Sequence, residues 1–154
     1  MGYRSDVRIM TTKKGFKELK KFNDKYLLDH KNINGFTEYN LMDNLDIKKE
    51  NKYSIYFGWN WLKWYEGSYA GVDAIMEGLN HLEKKDLSYR FARMGESYDD
   101  FEESYHESEK EEEQDLEYPS MIRAFDDDYI SDLMEKADNM EIDAELWIVK
   151  INII

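Results

Sequence analysis

Three histidines, His30, His81 and His106, are the first residues to question, because imidazole is the side chain best suited to proton transfer and metal ligation near neutral pH. They stand 51 and 25 residues apart, and none has a partner at a recognisable metal-ligand spacing. The sequence contains no cysteine, which excludes disulfides, thiolate metal sites and cysteine nucleophiles and makes a reducing compartment the natural setting. The three histidines therefore read as surface residues. A glycine-rich phosphate loop, a nucleophile elbow and a Walker lysine are all missing from the sequence.

Carboxylates are the other candidates for chemistry. Asp99-Asp100, Glu102-Glu103 and Asp126 to Asp128 are adjacent acids of the kind that do general acid and base work or hold metal ions. Their abundance weakens that reading, since the residues from Asp86 onward contain 22 acids and some neighbours are inevitable. An EF-hand loop needs alternating Asp, a central Gly and a closing Glu, and that pattern does not occur. The sequence thus calls for a non-enzymatic protein with no cofactor and no metal.

Charge is distributed unevenly. Residues 1–85 carry 15 basic and 12 acidic side chains, whereas residues 86–154 carry 6 and 22. The segment Glu96 to Asp128 has 15 acids against Lys110 and Arg123, a net of −13 that equals the charge of the whole chain. Its densest part is ESEKEEEQDLEYP, residues 107–119. Such a segment can be a solvated loop that keeps the protein dispersed, a cation-binding loop, or a surface that imitates nucleic-acid phosphates and docks on a basic protein. Interleaved Tyr98, Phe101, Tyr105, Tyr118, Phe125 and Tyr129 favour the third, because aromatics anchor interfaces and a solubility tail has no need of them. The expected partner-binding residues are Asp99, Asp100, Glu102, Glu103, Tyr105, Glu107, Glu109, Glu111, Glu112, Glu113, Asp115, Glu117 and Tyr118. Direct binding of nucleic acid is disfavoured, since phosphate contacts require a basic surface.

The elements that must position these residues follow from hydrophobic period. Tyr3 to Thr12 alternates Tyr3, Val7 and Ile9 with Arg4, Asp6 and Arg8, which predicts a half-buried strand. Lys13 to Asp29 changes to helical spacing, with Lys17, Lys20, Lys21 and Lys25 on the wet side. Asn34 to Asn51 is ambiguous, with a short helix through Tyr39, Leu41, Met42 and Leu45 as one reading. Lys52 to Asn60 is rich in β-branched and aromatic residues and predicts a strand, with Gly58 marking a bulge or a turn. Alternation places Trp59 and Trp61 on one face, so that both should be core or both exposed; core packing suits two of Trp59, Trp61 and Trp64. Ser68 caps a second helix through Lys85, Leu87 to Gly95 returns to strand, and Asp126 to Asn139 predicts a third helix. Glu145 to Ile153 reads as a buried closing strand. The result is a single α+β domain with the ferredoxin-like order of strands and helices on one sheet, interrupted by an acidic insertion and extended by a C-terminal strand. No apolar run approaches the ~20 residues that span a bilayer and no signal-peptide core opens the chain, so a soluble cytoplasmic protein with no membrane role is expected.

The opening MGYRSDV, with its strand and lysine-rich helix, together with KYSIYFGWNWLKWYEG, VDAIMEGLNHLE and YRFARMGESYDDFEE, resembles a family of small bacteriophage and mobile-element proteins. The likeness covers most of the first 105 residues and carries over no catalytic residue. It implies a phage setting inside a host bacterial cell, where small acidic proteins act as inhibitors of host defence, including anti-CRISPR proteins and restriction decoys. The expected partner is then a basic nucleic-acid-binding protein of a defence nuclease or effector complex. The alternative is a phage accessory protein that binds through the aromatic strand while the acidic loop only solvates.

Overall fold

In the computed structural model, residues 3–30, 39–110, 125 and 127–139 are described. Among them β1 (Ser5–Thr12) leads into α1 (Lys13–Asp29), and a 3-10 turn at Leu41–Asp43 precedes β2 (Ile47–Glu50) and β3 (Ser54–Leu62). Then come α2 (Ala70–Lys84), β4 (Tyr89–Gly95), β5 (Phe101–His106) and α3 (Asp127–Asn139). The strands form one antiparallel sheet in the order β2-β3-β1-β4-β5. The first four strands have the split βαβ order predicted from the sequence, because the connections through α1 and α2 each skip one strand. The protein is therefore α+β.

Thr12 closes β1 and opens α1 in one residue, its hydroxyl accepting the Gly15 N–H at 3.0 Å. The apolar stripes of α1 and α2 then bury one face of the sheet, where Val7, Ile9, Phe57, Trp59 and Phe91 meet Leu19, Ile75, Leu79 and Leu82. A Cβ at Gly78 would run into Leu19, so glycine there lets the two helices approach closely. On the opposite face α3 packs Ile130 and Met134 on Met10 and Tyr56. β1 is consequently covered on both sides, and the expectation that it is half-buried is corrected: Arg8, on the parity that alternation assigns to solvent, is 3% exposed, as is Arg90 on β4.

Other boundaries differ for local reasons. α2 starts at Ala70 with Tyr69 at the N-cap and no side-chain cap bond, so Ser68 is not the cap. Ser68 and Tyr69 instead donate their N–H groups to the Tyr65 carbonyl in a turn, while Asp73 accepts the Gly67 N–H at 2.7 Å. β3 runs on to Leu62, and Gly58 neither turns it nor bulges it. The irregularity is a bulge of β3 two residues further on, where Asn60 and Trp61 together span the interval that Asp6 alone fills between Ser5 and Val7 on β1. The ambiguous stretch before Asn51 supplies β2, joined to β3 by a tight turn in which Asn51 Oδ1 accepts from the Tyr53 and Ser54 N–H groups. The acidic segment, expected as an excursion, begins with strand β5, and the arginines of β4 lie beside its acids. The predicted strand Glu145 to Ile153 lies outside the described residues. Among the described residues no helix is long and apolar enough to cross a membrane.

Candidate functional site

β4 and β5 form a hairpin in which Arg90 lies opposite Tyr105, Ala92 opposite Glu103, and Met94 opposite Phe101. Opposed residues of an antiparallel pair share a face, and successive residues alternate. Phe101, Glu103 and Tyr105 therefore project to one side of β5, and Glu102, Ser104 and His106 to the other.

The second side is internally neutralised. Arg93 spreads its guanidinium over both acids of its neighbourhood, donating to Asp100 Oδ1 at 2.7 Å, to Asp100 Oδ2 at 3.2 Å and to Glu102 Oε1 at 2.7 Å. The Tyr3 hydroxyl donates to Asp100 Oδ2 at 2.6 Å and accepts the Ser97 N–H at 2.8 Å, which ties the start of the chain to the β4–β5 turn. A Cβ at Gly95 would fall on the Tyr3 hydroxyl and the Asp100 carboxylate, so any larger residue there must displace that hydrogen-bonded pair. Arg93 and then Tyr3 hold the Asp100 carboxyl below the usual carboxylate range by hydrogen bonding its charged form. Asp100 and Glu102 are thus structural ion-pair partners of Arg93.

On the first side, Arg90 is neutralised at the far end of β5. Its buried guanidinium donates to Glu107 Oε1 at 2.8 Å and to the Tyr89 and His106 carbonyls, and it sits 5.0 Å from the centre of the Tyr105 ring. His106 Nε2 lies 2.9 Å from Asp86 Oδ1, and the Ser108 N–H donates to Ser88 Oγ at 2.9 Å. The residues after β5 are thereby fastened to the α2–β4 turn. The hydrogen bond from His106 is the chief reason that the Asp86 carboxyl is held below its ordinary range. His81 likewise has a partner, Glu18 at 3.4 Å, and stacks on Phe22, while His30 stacks on Tyr26. Two of the three histidines read as surface residues are therefore paired with carboxylates. Among the described residues no group of three His, Asp or Glu is placed to hold a metal ion.

Of the residues singled out in the sequence, the hairpin brings together Asp99, Asp100, Glu102, Glu103, Tyr105 and Glu107, with Glu109 just beyond. Asp100, Glu102 and Glu107 are committed to arginines. Asp99, Glu103 and Glu109 are exposed and make no ion pair among the described residues. Glu111, Glu112, Glu113, Asp115, Glu117 and Tyr118 lie outside the described residues. Asp127 belongs to α3 and turns inward, accepting from Arg8 at 3.0 and 3.1 Å. Sequence reasoning missed Arg8, Arg90 and Arg93 as organisers; their signal is an arginine inside an otherwise apolar strand, which needs a carboxylate once its strand is covered.

Around this core the surface is aromatic. Tyr98 is 80% exposed, Phe101 60% and Tyr105 57%. An acidic surface with fixed carboxylates and large exposed rings suits recognition of a cationic protein surface. Carboxylates held ionised by arginine are poor proton donors, since a general acid works best with its pKa near the operating pH.

The pH response follows from the same pairs. A carboxyl whose folded pKa is depressed adds stability above its unfolded value, about 4, and loses it as pH falls through the folded value. Asp100→Asn is expected to leave a shallower fall in unfolding free energy than the unsubstituted chain shows as pH drops below about 4. Urea unfolding at stepped pH measures both slopes, and equal slopes would mean that the Arg93 pair contributes nothing.

None of the family models, curated proteins or solved structures compared with the chain matches it.

Proposed function

We propose that this chain is a non-enzymatic binding protein whose β4–β5 hairpin and following acidic run dock on a basic nucleic-acid-binding protein of a host defence complex, of the CRISPR or restriction class, in the bacterial cytoplasm. The observation that carries this reading is the alternation on β5: Phe101, Glu103 and Tyr105 share an exposed face, two rings flanking one carboxylate, while their intervening neighbours satisfy Arg93 and the α2–β4 turn. A surface built to hold phosphates presents Lys and Arg, so it attracts such a face at long range, and the rings supply the contact area that charge alone lacks. The defence setting rests on the phage-family resemblance. The aromatic strand by itself is less suited to the role, since Trp59 and, beyond the strand, Trp64 are buried and Trp61 alone of the three is exposed.

The test combines Phe101→Ser, Glu103→Lys and Tyr105→Ser in the full chain. These side chains are exposed, so each substitution should cost about 0.5 kcal/mol or less apart from the lost Arg90–Tyr105 stacking, and urea unfolding checks that the triple variant folds. Bacteria with an active CRISPR or restriction system and expressing the parent chain should lose protection against phage, and cells expressing the triple variant should regain it by about tenfold or more in plating efficiency. If the parent blocks none of the systems tried, or the variant blocks as well as the parent, the reading is wrong.

A further inference from the structure

Trp61 lies at the end of β3 with its backbone at φ 60°, in the left-handed region that a bulky L-residue rarely occupies. Its indole is 62% exposed, although Trp59, two residues earlier on the same strand, is 1% exposed, and Trp64 is 7% exposed. The positive φ separates the two, so the expectation that Trp59 and Trp61 share one environment is corrected. The left-handed backbone falls where β3 has one residue more than β1, and charged side chains hold it there. The Trp61 N–H donates to Asp6 Oδ1 at 2.8 Å, and its carbonyl accepts from Arg4 at 3.1 Å. One residue earlier the Asn60 N–H donates to Asp46 Oδ2 at 2.7 Å. Asp6 stands on the β1 side of β3, and Asp46 directly precedes β2, the strand on the other side. Two carboxylates therefore accept from the backbone at the base of the exposed indole.

We propose that Trp61 anchors a second part of the docking surface and receives an arginine of the basic partner, the guanidinium lying on the indole face in the field of Asp6 and Asp46. Arginine fits better than lysine because its planar, weakly hydrated cation stacks on aromatic faces. Arg4 is committed to the Trp61 carbonyl, and its N–H donates to Glu96 Oε1 at 3.3 Å, which joins this end of the sheet to the β4–β5 turn. The two surfaces are thus continuous through Arg4. This inference rests on the reading of a basic protein partner given above.

The experiment is an NMR titration of the full chain with a short oligoarginine peptide and, separately, an oligolysine peptide of equal length. The Trp61 indole signal is identified as the one lost in Trp61→Gly. It is expected to shift saturably with oligoarginine, less with oligolysine, and hardly at all in high salt. If signals of Phe101, Glu103 and Tyr105 move while the Trp61 indole does not, the anchor is refuted and the hairpin reading stands. If neither set moves, both fail. Glycine adopts positive φ freely, so Trp61→Gly should melt at or above the parent temperature. A clear fall in Tm would show that the ring is there for packing and would overturn the proposal.

Discussion

Asp127→Ala is expected to cost about 3 kcal/mol of folding stability, near the low end of the roughly 3–5 kcal/mol for breaking a buried ion pair, because the carboxylate is a quarter exposed. Arg8 is buried in the sheet and points its guanidinium at the first turn of α3. There Asp127 takes two of its hydrogen bonds, Asn60 Oδ1 takes another at 2.7 Å, and the Val7 and Trp59 carbonyls accept at 3.0 Å. The Phe125 ring lies 4.9 Å from the same guanidinium, and the Tyr56 hydroxyl donates to Asp127 at 2.6 Å. Alanine would strand a buried cation and a buried phenol together. Burial alone would raise the Asp127 carboxyl, but Arg8 and Tyr56 outweigh it and bring it below the ordinary range. Out of a total of about 5–15 kcal/mol such a loss is large, and α3 should be released first, since its other ties to the β2–β3 hairpin include the Lys49 ammonium on Ser131, the Lys52 N–H on Asp138 and the Asn51 amide on the Met134 carbonyl, none of them an ion pair. Urea unfolding measures the total, and hydrogen exchange in α3 locates it. Combining Arg8→Met and Tyr56→Phe with Asp127→Leu should recover most of the loss, because the buried cation, phenol and carboxylate are then all replaced by apolar groups. A loss under about 1 kcal/mol for Asp127→Ala would show that water replaces the carboxylate readily.

Gly58→Ala should be as damaging or worse. A Cβ at this position would overlap the Val7 carbonyl oxygen, with the Val7 carbon at 2.9 Å and Arg8 Cδ at 3.0 Å. Two of those three atoms are backbone of the neighbouring central strand, so no side chain can rotate out of the way and β1 must move from β3. Overpacking of that kind costs about 1–3 kcal/mol even in a side-chain core, and here it also breaks ladder hydrogen bonds. Arg8 lies opposite Gly58 in the register and passes over it to reach the Trp59 carbonyl and Asn60. The missing side chain is therefore what lets the arginine reach both its strand partners and Asp127. The expected result is a chain that fails to fold at 37 °C or unfolds at much lower urea. Gly67→Ala is the contrast: at φ 79° with nothing near its Cβ, it should show only the modest cost of a strained loop residue. Equal stabilities for the two variants would overturn the close-approach argument.

Local pattern carried much of this architecture. The alternation of Val7 with Ile9 and the helical stripe from Phe16 to Leu27 specify β1 and α1, since burying one face of a strand or helix dictates period 2 or 3.6 and nothing distant can change that. The order of elements limited the sheet to the split βαβ arrangement, and the concentration of acids after Glu96 was legible by counting. Three things were not local. Whether the second face of β1 is wet or covered depends on α3, more than a hundred residues away, and so Arg8 was read as a solvent-facing residue when it is a buried cation. Whether an acid is free or spent depends on which arginine lies across the strand: Glu102 and Glu103 are neighbours of identical type, yet pleating hands one to Arg93 and leaves the other exposed. Trp59 and Trp61 share a parity, and only the backbone reversal at φ 60° sends one inward and the other out. Composition and period therefore determined which segments form and where negative charge accumulates, because those depend on neighbours in the chain. Tertiary structure alone decided which charges are neutralised and which rings face water, because a salt bridge or a covered face exists only after residues distant in sequence have been brought within a few ångströms.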